Sequence, residues 1–153
     1  MMLSAQSAPA ALPAVPAFST TPSGTLHIAR EADPARPLSV IGPRGALLGS
    51  EGGSYEAWIF PWKIFSHMQI TVRMQDYPVP IAVNEHAADV DVTPNATVVT
   101  YSHANFTIRQ IMFAPKEAPE GTGALVLYQI EAIRPMTLTF SFTPPATSAA
   151  SPA

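Results

Sequence analysis

Apolar and polar residues alternate along several stretches of this chain, and a period of two is the mark of β-strands with one buried face. Met68, Ile70, Val72 and Met74 are interleaved with Gln69, Thr71 and Arg73. Met136, Leu138, Phe140 and Phe142 are interleaved with Thr137, Thr139 and Ser141. The run 105–113 starts in the same way, with Phe106 and Ile108 opposite Thr107 and Arg109, and becomes apolar on both faces at Ile111, Met112 and Phe113. Leu125-Val126-Leu127-Tyr128 is apolar on both sides, which predicts a central strand.

Turn residues punctuate these runs: Gly42-Pro43, Gly52-Gly53, Asp76-Tyr77-Pro78, Thr93-Pro94-Asn95, His103-Ala104-Asn105 and Gly121-Thr122-Gly123. No segment keeps helical periodicity for ten residues; the nearest, 61–67, is short and begins with proline. Short strands at this spacing predict an all-β fold, an antiparallel β-sandwich, over residues 24–143. Residues 1–23 carry no charge and are rich in Ala, Pro and Ser, which reads as a disordered leader. Leu3 to Ala8 resembles the small-residue region around a bacterial signal cleavage site, so a signal-peptide remnant of a periplasmic or secreted protein is one reading. A leader on a cytoplasmic protein is the other. Residues 144–153 are uncharged, of low complexity, and read as a disordered tail.

Composition narrows the functional classes. Charged residues make up only 12% of the chain, about half the usual share, and 17 prolines accompany them, which suits strands joined by stiff turns. The net charge is −3 and the eight basic residues are scattered, so the clustered cations that displace counterions from nucleic acid are missing. No polybasic stretch or long apolar run points to a membrane. With no cysteine, thiol catalysis, Cys-ligated zinc and disulfides are excluded. No cofactor is expected.

Catalytic patterns are incomplete. His27, His67, His86 and His103 are not paired at a spacing that aims two imidazoles at one metal. Asp89 and Asp91 share a strand face, which suits a loose Ca²⁺ site and, more simply, a solvated face. Glycosidic hydrolysis needs two opposed carboxyl groups, and no such pair stands out; Glu51 and Glu56 lie close together, on a turn and a strand. No Gly-x-Ser-x-Gly elbow surrounds Ser39, Ser54 or Ser66. Gly42-Pro43-Arg44-Gly45 lacks the ending of a phosphate loop.

One segment concentrates aromatics: Tyr55, Trp58, Phe60, Trp62 and Phe65, including both tryptophans of the chain. Aromatic faces stack on the C–H faces of sugar rings while neighbouring Glu and Lys satisfy hydroxyls. The alternative is that these rings fill the core between two sheets, the commoner use of aromatics in sandwiches. Lys63, polar within an apolar stretch, marks an edge or interface.

Gly53-Ser54-Tyr55-Glu56-Ala57-Trp58-Ile59-Phe60-Pro61-Trp62-Lys63 resembles a stretch near the start of bacterial glycogen-debranching-like proteins of the six-hairpin glycosidase class. Tyr77 to Ile81 and Thr100 to Gln110 look like later strands of the same region. The resemblance spans residues 24–143. It implies an N-terminal β-supersandwich, here incomplete, that packs on an (α/α)₆ barrel carrying the catalytic acids, none of which has a counterpart in this chain. It implies further that Glu56, Trp58, Trp62 and Lys63 face a cleft for an oligo- or polysaccharide. The expectation is therefore a non-catalytic domain or fragment of a glycoside hydrolase whose partner is the missing helical barrel. A free-standing carbohydrate-binding module and a structural or adhesive sandwich with protein partners are the alternatives.

Overall fold

The computed structural model describes residues 26–75, 77–115 and 123–145. The leader expected at 1–23 and residues 146–153 of the expected tail lie outside them, as do Asp76, Gly121 and Thr122 of the turn signals. Eleven strands and one 3₁₀ turn follow in order: β1 (Ile28–Glu31), β2 (Pro37–Ile41), β3 (Gly45–Ser50), β4 (Tyr55–Ile59), β5 (Trp62–Met74), β6 (Ile81–Ala82), the turn Val83–His86, β7 (Ala87–Val92), β8 (Thr97–His103), β9 (Phe106–Phe113), β10 (Leu125–Ala132) and β11 (Met136–Thr143). They form an antiparallel β-sandwich. One sheet runs β1-β7-β8-β9-β10; the other runs β11-β5-β4-β3-β2, with β6 added beside β5. Among the described residues no helix is long and apolar enough to cross a membrane.

The core is where the two inner faces meet. The alternation in β5 buries Met68, Ile70, Val72 and Met74, and they pack against Val90, Val99, Tyr101, Phe106, Ile108 and Met112 of the facing sheet. Ile111 is also buried, but on the outer face, where register sets it between Val98 and Leu127. This explains the doubly apolar stretch of β9.

β5 holds the second sheet together by changing partners. Its first residues pair with β4, and its remainder pairs with β11 on one side and β6 on the other. Two irregularities mark the handover. Ile64 has no partner between Ala57↔Phe65 and Trp58↔Lys63. Further on, the ladder with β11 slips between Ser141↔Gln69 and Thr143↔Ser66, and His67 takes a left-handed φ of 53°. An extra residue of this kind bends a strand and increases its twist.

Two expectations change. β10 is an edge strand of its sheet, not a central one, since it pairs with β9 alone. Its outward leucines, Leu125 and Leu127, lie cross-strand from Phe113 and Ile111 and are half-exposed, with no second layer over them. The inner face of β11 is also only partly covered. Met136 and Leu138 pack on the core, whereas Phe140 and Phe142 are exposed.

The loop between β3 and β4 is unusual for a hairpin tip because Glu51, Gly52 and Gly53 are buried. Its polar groups are met from the facing sheet, from the segment between β1 and β2 and from the 3₁₀ turn. Glu51 accepts from the Arg30 guanidinium of β1, from the backbone N–H of Asp33 at 3.1 Å and from Arg36 at 3.5 Å. The Gly52 carbonyl accepts from the Asn84 side chain at 3.0 Å, and Asn84 in turn accepts from the Ile70 N–H of β5 at 2.8 Å. The Gly53 carbonyl accepts from the buried amide of Gln110 at 3.2 Å, whose oxygen accepts from the Tyr101 hydroxyl at 2.8 Å. Gly53 has φ 77°, and a Cβ there would sit 1.6 Å from the Tyr101 hydroxyl oxygen, so glycine is required twice over.

Removing the Glu51 carboxylate leaves the Arg30 guanidinium and the Asp33 amide without their acceptor and Arg36 with Asp33 alone, at 3.7 Å. Glu51→Ala is expected to lower stability by about 2–3 kcal/mol in urea unfolding, since both arginines keep partial access to water; a loss under ~0.5 kcal/mol would show that the clamp is idle.

Burial also holds the Tyr101 and Tyr128 hydroxyls well above the ordinary tyrosine value of 10.0, and raises Tyr55 as well. Each phenol is neutral in the folded protein at a pH where the unfolded chain ionises it. Stability is therefore unaffected below pH 10.0 and falls as pH rises above it. In a spectrophotometric titration of phenolate absorbance, Tyr101 and Tyr128 should ionise only as the circular-dichroism signal of the fold is lost.

Candidate functional site

The β4–β5 hairpin presents the residues that the sequence singled out. Along β4, Tyr55 and Ala57 point into the core, so Glu56 and Trp58 point outward. Register places Lys63 of β5 directly across from Trp58. Glu56 then accepts from both neighbours: Trp58 Nε1–H at 2.7 Å on one carboxylate oxygen and Lys63 Nζ at 2.6 Å on the other. The ammonium lies 5.0 Å from the centre of the Trp58 ring, within cation–π range. The hydrogen bond from Lys63, followed by that from Trp58, holds the Glu56 carboxyl below its ordinary 4.5.

Glu56, Trp58 and Lys63 are thus one cluster, while Trp62 stands apart. It pairs with Ile59 at the hairpin tip, beside the cis Phe60–Pro61 peptide, and is 71% exposed. Phe60 is exposed next to it. The core-filling expectation therefore holds for Tyr55 and Phe65, whose rings lie 5.8 Å apart against the inner face, and fails for Trp58, Phe60 and Trp62.

Beside the cluster runs a groove of about 440 Å³, lined by Leu48, Ser50, Ser54, Glu56, Ser66 and His67 among others. Its position was not legible as a motif, yet the sequence carries a trace of it. Ser66 and His67 are two successive polar residues between Phe65 and Met68, where strict alternation allows one. That break is the bulge. A second cleft, of about 410 Å³, opens between the sheets beside β10 and is apolar, with Tyr55, Phe65, Met68, Val126, Tyr128 and Phe140 in its wall.

The remaining candidates are dispersed. Asp89 and Asp91 share the outer face of β7, as expected, but Asp91 pairs with His27, and among the described residues no three metal-ligating side chains gather. Sequence separation hid one pairing: His86 and His103 meet edge to face at 5.3 Å, and His103 stacks on Phe106 at 4.8 Å. Glu51 and Glu56 each serve their own cations and form no opposed pair.

Comparison of the chain with protein-family models, with curated proteins and with solved structures finds no match. What is established is the class of fold, an all-β antiparallel sandwich.

The Glu56–Lys63 pair is surface-exposed, so its contribution to stability is small, within ~1 kcal/mol. That contribution is present above pH 4.5 and is lost as pH falls through the depressed Glu56 value. Lys63→Met should move the Glu56 titration upward toward 4.5, followed through the Trp58 indole N–H resonance; an unchanged midpoint would separate Lys63 from the carboxylate.

Proposed function

We propose that this chain is a non-catalytic β-sandwich domain of an exported glycoside hydrolase, similar to bacterial glycogen-debranching-like six-hairpin glycosidases, and that it works packed on a helical catalytic barrel. The observation that supports this reading is the open side of the sandwich. β10 and β11 are the edge strands of the two sheets, and they face each other through Tyr128 and Phe140, 4.9 Å apart. Their inward-facing side chains should be the best buried of each strand. Instead Ile130 is 44% and Phe142 54% exposed, and the apolar cleft opens between the two strands at Val126, Tyr128 and Phe140. β11 has no charged residue along its eight positions, and β10 has only Glu131. Free-standing proteins blunt such edges with charge, proline or a covering element. A domain that is covered by the rest of its own enzyme has no need to.

A second reading, a carbohydrate-binding module, is favoured by the exposed Phe60 and Trp62 at one hairpin tip with Glu56, Trp58 and Lys63 beside them. Both readings place a saccharide on the same face; they differ in whether the β10–β11 side has a permanent cover.

The 153-residue chain made alone should self-associate with rising concentration in sedimentation velocity and bind a dye specific for exposed apolar surface. The double change Ile130→Thr and Phe142→Thr should reduce both effects. A monodisperse, dye-silent protein would defeat the covered-domain reading. For the enzyme class, genomic DNA should continue in frame after Ala153 into helical hairpins and before Met1 into a signal peptide.

A further inference from the structure

We infer that the groove on the outer face between β3, β4 and β5 is a binding site for a neutral, polyhydroxylated ligand, with Glu56, Ser54, Ser66 and His67 as its polar contacts. The inference rests on the carbohydrate reading of this face and is independent of the open edge.

The first observation is His67. It is the only non-glycine residue with positive φ among those described, and it stands at the bulge where β5 passes from β4 to β11. A left-handed β-strand residue with a Cβ is strained, and glycine would remove the strain. Histidine at this position sets its imidazole at the wall of the groove that Glu56 also lines. Bulges of this kind re-aim side chains at functional sites.

The second observation is the chemistry of the wall. An anion is disfavoured because the groove contains a carboxylate whose neighbouring cation, Lys63, is already paired with it. A metal ion is disfavoured because both Glu56 oxygens already accept hydrogen bonds, and no third ligand gathers among the described residues. A purely apolar ligand would strand the hydroxyls of Ser50, Ser54 and Ser66. A sugar ring meets every term. Its hydroxyls donate to the spare lone pairs of Glu56 and exchange hydrogen bonds with serine and imidazole, while its C–H face rests on Leu48.

The two indole N–H resonances of the chain give a direct test, because Trp58 is bonded to Glu56 at the groove and Trp62 lies at the hairpin tip. The 153-residue protein is titrated with maltotetraose and, separately, cellotetraose. Binding in the groove should shift the Trp58 signal saturably with at least one of them. His67→Gly, which the left-handed backbone accepts without loss of fold, should weaken that binding about tenfold, the worth of one hydrogen bond to a ligand. Ser66→Ala should weaken it as well, and Trp62→Ala should leave it in place. If Trp62 alone responds and His67→Gly has no effect, saccharide binds at the hairpin tip: the groove is overturned and the carbohydrate reading survives. If neither signal responds to either sugar, both fall, and the covered-domain reading stands or fails on its own test.

Discussion

The sandwich depends on how the polar atoms of one buried turn are satisfied. Glu51, Gly52 and Gly53 sit where a hairpin tip would ordinarily be in water, and an unpaired carbonyl or carboxylate there would cost several kcal/mol. The fold answers from the facing sheet and from a connecting turn. Arg30 comes from the far edge of one sheet, Gln110 and Tyr101 from its middle, and Asn84 from the 3₁₀ turn, where it also accepts from the Ile70 N–H within β5. Hydrophobic contact alone would let the sheets slide, because it carries no direction. The hydrogen bonds to Gly52 and Gly53 do carry direction, and so they fix the register of one layer on the other.

The candidate site follows from the same strand that closes the core. β5 must pair with β4 at its start and with β11 and β6 further on. A straight strand could not follow both partners, and the extra residues Ile64 and His67 absorb the change of direction. The bend leaves Lys63 across from Trp58 and puts Ser66 and His67 on the rim of the outer groove. Fold and site are thus linked by one bent element.

Much of this was readable from residues alone. Alternation in β5 and β9 found the inner faces, since side chains on a pleated strand must take opposite sides and one side is dry. Less could be read where pairing, not pattern, decides exposure. Leu125 to Tyr128 is apolar enough for a central strand, yet nothing in those residues says that only one neighbour pairs with them. Phe140 and Phe142 keep the correct face but stay exposed, because the opposing sheet reaches Phe140 only through Tyr128. Glu56, Trp58, Trp62 and Lys63 were brought together only by the resemblance; that Trp62 stands apart from the other three depends on where the hairpin tip falls, which the residues alone do not mark. The contact of His86 with His103 depends on how β8 lies against the 3₁₀ turn, information that local sequence does not hold.

The buried β3–β4 tip also constrains how the chain could diversify. In most antiparallel sandwiches every hairpin end is a place where residues are readily gained, because lengthening it perturbs only solvent. Here the ends are unequal. Pro94 and Asn95, at the exposed tip between β7 and β8, leave room for an added peptide, whereas one residue added between Glu51 and Ser54 would pull three hydrogen-bonded groups away from their partners at once. Relatives that vary in length should therefore keep the distance from Gly49 to Tyr55 unchanged and spend their variation at 94–95.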